Sequence, residues 1–239
     1  MARLLVISDI HNRWKEVATA IKGFNYDKIV FLGDIIDNRR ETLKDIEETC
    51  LWFNEKIQDP NFIWLAGSHD LQYIYPQMTS LQCGNYSLDK QTIFDDTVGE
   101  DRNRHRLFHY ENDILFSHAG FQYDIVNESP NNVKNLEEVL ISYLQNSIDN
   151  KSFRPGIARS GYEYKGGFTW LDFDEEFEVV EGLNQIVGHT FQYTEEPNIK
   201  RGMYSVNICL DTANEHYIIS EEKNIYIYTK KHKLYDHIS

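Results

Sequence analysis

Five times along this chain an apolar, strand-like run stops at a short polar motif. The runs Leu4–Ile7, Ile29–Leu32, Phe62–Ala66, Ile114–Phe116 and Ile186-Val187 lead into Ser8-Asp9-Ile10-His11, Gly33-Asp34-Ile35-Ile36-Asp37, Gly67-Ser68-His69-Asp70, Ser117-His118-Ala119-Gly120 and Gly188-His189-Thr190. Open α/β sheets gather their ligand sites at the carboxyl ends of strands. Acids and imidazoles brought to one edge from positions 9 to 189 must meet in a single unit, so residues 1–239 read as one domain. A convergent cluster of Asp and His at that edge is a metal site.

The first third alternates strand and helix. Trp14, Val17, Ala18, Ile21 and Phe24 recur at helical spacing, as do Leu43, Ile46, Cys50, Phe53 and Ile57. With strands at 4–7, 28–32 and 61–66 this is a βαβαβ rhythm, which predicts an α/β fold with parallel strands. Residues 76–105 read as irregular and polar, a variable insertion or cap near the site. Strands at 106–110 and 113–117 follow, then a helix near 133–148 with Val133, Leu136, Leu140, Tyr143 and Leu144 inward. Residues 150–168 form a glycine-rich loop, and the acidic run from Asp172 to Glu178 reads as a solvated face. After a strand at 184–187, the tail predicts an antiparallel set near 204–210, 216–219 and 224–229.

A net charge of −14, from 38 acidic and 24 basic residues, argues against long nucleic acid as a partner. It also repels anionic substrates, so bound cations must supply any positive charge the site needs. No apolar run approaches the roughly 18 residues of a membrane span. Met1-Ala2-Arg3 leads straight into a strand, and the three scattered cysteines lack paired spacing. Both features predict a cytoplasmic protein with reduced thiols.

Asp9 and His11, two residues apart past a strand, can aim at one ion. Asp34 can bridge two ions through its two oxygens, and His118 with His189 completes the second. A mixed Asp/His set suits Mn, with Fe, Zn or Ni as alternatives, better than Ca or Mg. Two such ions about 3.5–4 Å apart clamp a phosphate and make hydroxide from water. His69 can protonate the leaving oxygen, and Asp37 is placed to hydrogen-bond it and raise its pKa. Asn12 stands where a tight turn needs positive φ.

Through Asp-x-His, Gly-Asp-x-x-Asp, Gly-x-His-Asp, His-Ala-Gly and Gly-His, the chain resembles the calcineurin-like metallophosphoesterases over most of its length. The Gly-His-Thr form, the Ser-His-Ala-Gly segment and Asn207-Ile208-Cys209-Leu210-Asp211-Thr212 are similar to the branch of phage-type Ser/Thr phosphatases and symmetrical diadenosine tetraphosphatases. The resemblance implies a two-sheet β-sandwich flanked by helices in four layers. It implies Asp9, His11 and Asp34 on the first metal, Asp34, residue 68, His118 and His189 on the second, and His69 as acid. The family has Asn where this chain has Ser68, and a hydroxyl is a shorter, poorer ligand than an amide oxygen. That departure weakens the second site whether Ser68 is natural or introduced. A second departure is Asn38, where the protein-phosphatase branch carries a phosphate-binding Arg. Arg39 follows, and Arg159, ahead of a Gly-Gly-x-x-Trp-x-Asp stretch, is the better candidate to fork onto phosphate oxygens.

These readings imply hydrolysis of phosphomonoesters, with a phosphorylated small molecule or phosphoprotein as substrate. The alternatives are a dinucleoside polyphosphate or other small phosphoanhydride, and a metal-binding relative weakened at Ser68. The oligomeric state has no signature in the sequence.

Overall fold

The computed structural model describes residues 2–38, 40–122 and 133–238; Arg39 lies outside them, as do the side chains of Val133 and the two residues after it. In chain order the elements are β1 (Leu4–Ile7), α1 (Trp14–Ala20), β2 (Lys28–Phe31), α2 (Leu43–Ile57), β3 (Phe62–Trp64), α3 (Ser68–Ile74), α4 (Leu88–Thr97), β4 (Phe108–Glu111) and β5 (Ile114–Ser117). They continue with α5 (Val133–Gln145), β6 (Asn184–Val187), β7 (Asn198–Arg201), β8 (Val206–Cys209), β9 (His216–Glu221), β10 (Asn224–Thr229) and β11 (Leu234–Ile238). The strands form two mixed sheets, one ordered β11-β10-β9-β1-β2-β3 and the other β4-β5-β6-β8-β7.

Strand β1 is buried on both faces, and its alternation sorts the core. Leu4 and Val6, with Val30, Leu32, Phe116, Ile186, Ile208 and Ile218, fill the space between the sheets. Leu5 and Ile7, with Ile29 and Phe31, face a helix layer that includes Val17, Ile46 and Phe53. The other face of the second sheet is covered in part by Leu171, Phe173 and Phe177 on Val187 and Cys209. The result is a sandwich flanked by helices. β1, β2 and β3 run parallel in one sheet, and β5, β6 and β8 run parallel in the other.

α2 starts at Thr42, whose hydroxyl accepts from Asp45 N while Asp45 accepts from Thr42 N, a reciprocal cap worth about 1 kcal/mol. Ile46, Cys50, Phe53 and Ile57 are buried as the stripe predicts, but Leu43, in the first turn, is exposed.

Several expectations need correction. Residues 76–105 are not irregular: they hold α4 and two short 3-10 turns. α4 was hidden because it buries only Gln91 and Phe94, and its start rests on the Ser87 hydroxyl accepting from Lys90 N. The tail is not one antiparallel set. β8 pairs with β6 in the second sheet, while β9 and β10 pair with β1 in the first. β7 and β11 were missed because each lies at a sheet edge and carries mostly part-exposed side chains. The 172–178 run is not a solvated face. Glu176 is buried, accepting from Ala158, Gly166 and Asp172 N, and Phe173 and Phe177 are in the core.

Candidate metal centre

All the parallel strands that carry motifs end at the same edge of the sandwich. Past β1 and β2, and after β6, the backbone turns sharply. His11 (φ 42°), Asn12 (65°), Asp34 (58°), Asp37 (77°) and His189 (64°) all take left-handed conformations. Such conformations cost about 1–3 kcal/mol each in non-glycine residues and persist where the surroundings over-determine them. For the Asp34 turn the restraint is Asp70 on α3. Its carboxylate accepts from Asp34 N, Ile35 N and Gly67 N, each at 2.9 Å, and so pins the Asp34 turn to the start of α3. The sequence motif contains Asp70 but does not disclose that duty.

Ligand-type atoms of Asp34, His118 and His189 all lie within 4.8 Å of one another, and so do those of Asp9, His11 and Asp34. Asp34 belongs to both groups. His118 Nδ1 faces the Leu32 carbonyl at 2.8 Å and donates to it, which leaves Nε2 with its lone pair outward. That lone pair lies 3.0 Å from His189 Nδ1 and 3.5 Å from Asp34 Oδ2. His11 is oriented in the same manner, its Nδ1 donating to Ile36 O at 2.8 Å while Nε2 lies 3.8 Å from Asp34 Oδ2. Asp9 accepts from the Ser8 hydroxyl at 2.6 Å and from His189 N at about 3.1 Å.

This donor set fits divalent cations. Asp9, Asp34 and His118 are buried, and buried carboxylates with no cation between them are costly. If His189 Nδ1 donates to His118, its Nε2 is left buried with no partner. Burial first, then the electrostatic influence of His118 and Arg159, hold the His189 pKa well below its ordinary value, which favours the neutral imidazole that a ligand must be. Burial pulls the Asp34 carboxyl upward, but the electrostatic influence of the neighbouring His118, His69 and His11 rings and the His69 N–H outweigh it and leave it lowered.

Ser68, at the start of α3, is buried, and its hydroxyl reaches Asp34 Oδ2 only at 3.5 Å. His69 N donates to Asp34 Oδ1 at 2.8 Å, and its ring Nδ1 lies 2.9 Å from Asp37 Oδ2. Its ring stands edge-on to His11 at 5.6 Å. Burial lowers the His69 pKa, yet the Asp34 charge, the Asp37 hydrogen bond and the charges of Asp37 and Asp70 together push it up to about 9. His11 and His69 are part-exposed, at 23% and 21% of their side chains, so the centre opens to solvent on that side.

Arg159 lies at the rim. Its Nε is 2.8 Å from Asp172 Oδ2, and its Nη2 donates to His189 O at 3.4 Å. Trp170 meets the His189 ring edge-on at 5.6 Å. Neither that contact nor the Asp172 partner was foreseen. Asn38 donates to His11 O at 3.2 Å, joining the turns after β1 and β2. Of the remaining histidines, His105 is buried against Trp64 and Tyr75.

A two-sheet sandwich with carboxylates and imidazoles gathered at the ends of its parallel strands is the architecture of a metal-dependent hydrolase. A family profile described as calcineurin-like phosphoesterase matches residues 2–193, and the chain belongs to that family. Its fold is similar to that of a cold-active protein-tyrosine phosphatase from the psychrophile Shewanella sp., with a TM-score of 0.68 and 15% identity over 100% of this chain and 81% of that one. It is also similar to a protein serine/threonine phosphatase from Saccharomyces cerevisiae with similarity to human phosphatase PP5. There the TM-score is 0.54 and the identity 14%, over 95% of this chain and 79% of that one. No curated protein matches significantly.

Proposed function

We propose that this phosphoesterase hydrolyses phosphomonoesters at a two-metal centre, with Asp9, His11 and Asp34 on one ion and Asp34, His118 and His189 on the other. The observation that carries this reading is the position of Asp34, shared by two donor groups, with the His69–Asp37 pair directly beside it. When bound, two divalent ions supply a nucleophile from water and neutralise charge on the phosphoryl oxygens. The mixed Asp/His donors support manganese, with Fe, Zn or Ni as alternatives.

The chain's own residues do the remaining work. His69, on the solvent-open side, donates a proton to the leaving oxygen, and Asp37 holds Nδ1 so that Nε2 points outward. Arg159 steadies a phosphate oxygen from the rim, at the expense of its contact with Asp172. The segment 76–105 builds one wall of the approach. Ser68 contributes a weaker donor than an amide would, which supports a centre that binds metal but turns over slowly. The three cysteines are unpaired, and no helix among the described residues is long and apolar enough to cross a membrane. The free thiols support a cytoplasmic setting.

A second reading, hydrolysis of a dinucleoside polyphosphate, draws support from Tyr162 and Tyr193, which are fully exposed or nearly so and follow closely on Arg159 and His189. Rings so placed can stack on a base. Hydrolysis of p-nitrophenyl phosphate and of diadenosine tetraphosphate with added manganese, by this chain and by Ser68→Asn, tests both readings. Turnover of the monoester in preference supports the first reading, and of the dinucleotide the second. No turnover by either chain overturns both in favour of a binding module.

A further inference from the structure

Asp37 is fully buried and accepts four hydrogen bonds, two at each oxygen. Oδ2 takes His69 Nδ1 at 2.9 Å and Gln72 Nε2 at 2.6 Å, while Oδ1 takes Tyr73 OH at 2.8 Å and Lys90 Nζ at 2.7 Å. Lys90 comes from α4, 53 residues along the chain from Asp37. Its ammonium group is also ion-paired with Glu41, and its side chain is only 12% exposed. Glu41 in turn accepts from Asn38 N at 2.7 Å and from Asn12, in the turn that follows His11. One lysine therefore ties together the turns after β1 and β2 and, through Asp37, the His69 ring at the start of α3.

The surroundings leave Lys90 little freedom. Asn85 Nδ2 donates to Asp37 O at 3.2 Å, and Gln91 Nε2 donates to Tyr73 O at 3.1 Å. The Tyr73 ring stacks on Tyr86 and on Phe94, each at 5.6 Å. The 76–105 segment is thus seated on the residues that hold the His69 ring.

We propose that Lys90 is a positioning residue for His69: held between Asp37 and Glu41, it fixes the Asp37 carboxylate in the one orientation that aims the His69 ring at the leaving group. The proposal rests on reading His69 as the general acid. Without the lysine, two buried carboxylates face each other with no cation between them, and Oδ1 loses one of its two donors. The carboxylate then swings, and the His69 ring follows it.

The test compares Lys90→Met and Lys90→Arg with the wild-type protein in two measurements. The first is manganese-dependent turnover of phenyl phosphate, whose leaving group needs a proton, and of p-nitrophenyl phosphate, whose leaving group does not. Lys90→Met is expected to lower kcat about tenfold or more on phenyl phosphate, with KM and the p-nitrophenyl rate little changed, and Lys90→Arg to restore most of the loss. The second measurement is the His69 ring nitrogen signal in metal-free, 15N-labelled protein, where Lys90→Met is expected to shift or broaden the Nδ1 resonance. Equal losses on both esters, or an unperturbed ring signal, overturn the role of Lys90. A wild-type chain inactive on both esters overturns the proposed activity instead, because the ring signal is read without turnover.

Discussion

Gly67→Ala tests most directly whether Asp34 is the shared ligand. Gly67 has φ −88°, which any residue adopts, so an alanine there introduces no backbone strain. The added Cβ would instead stand 2.2 Å from Asp34 Oδ1, 2.7 Å from Asp34 N and 2.8 Å from His118 Cε1. Since Cβ atoms do not approach closer than 3.0 Å, the Asp34 carboxylate must retreat by about 0.8 Å. It cannot do so freely, because the same oxygen accepts from His69 N at 2.8 Å. Overpacking of this kind costs about 1–3 kcal/mol of stability. Displacing the shared ligand by nearly an ångström is expected to lower manganese-dependent kcat on the order of 10²-fold. The assay is p-nitrophenyl phosphate hydrolysis across a manganese titration, with thermal unfolding of the same samples. Gly84→Ala is the control, since nothing lies within 4 Å of its added Cβ. Wild-type kcat and metal affinity in Gly67→Ala would refute the placement of Asp34 between two ions.

Further predictions concern the remaining donors. Ser68→Asn is expected to tighten the weaker manganese site and raise turnover on the order of tenfold, read by calorimetric titration and initial rates. His189→Ala should abolish most of the manganese-induced rise in unfolding temperature, because it removes a donor from the Asp34–His118 group. In the metal-free protein, His69 has a folded-state pKa raised to about 9. Its contribution is therefore complete below the unfolded value near 6.5 and is lost as pH rises through 9, an effect of up to about 3 kcal/mol. His189 has the opposite sign: its lowered pKa makes folding less favourable as pH falls below about 6.5. Denaturant titrations of metal-free wild type and His69→Gln between pH 5 and 10 should show the alkaline loss only in the wild type.

The site was legible in the sequence because its chemistry-bearing residues lie one or two positions past apolar strands, and a strand's carboxyl end is a place in space as well as in sequence. Motif order and strand direction sufficed to bring Asp9, His11, Asp34, His118 and His189 to one edge. What surrounds them was not legible. α3 is seven residues long, too short to show a helical period, and it begins inside a motif that reads as a loop. Lys90 lies on a helix whose buried face is one glutamine and one phenylalanine, so no periodicity marks it. Sheet membership in the tail was equally hidden. Nothing in Val206–Cys209 says that it joins β6, whereas the next strand, His216–Glu221, joins β1. Arg159 was visible as a cation in a glycine-rich loop, but its Asp172 partner lay in a run that only the burial of Phe173 and Phe177 draws inward.

Asp9, His11 and Asp34 follow strands of one sheet, while His118 and His189 follow strands of the other. The Asp9, His11 and Asp34 group lies within one sheet, but the Asp34, His118 and His189 group draws on both, so ion capture by that second group reports on whether the two halves have come together. An occupied centre acts as a rivet across the seam, and its grip on the cations is repaid as resistance to the sheets parting. Chelation should therefore loosen the whole sandwich as well as silence it, and a chain that holds an ion at the second group has already brought its two sheets together.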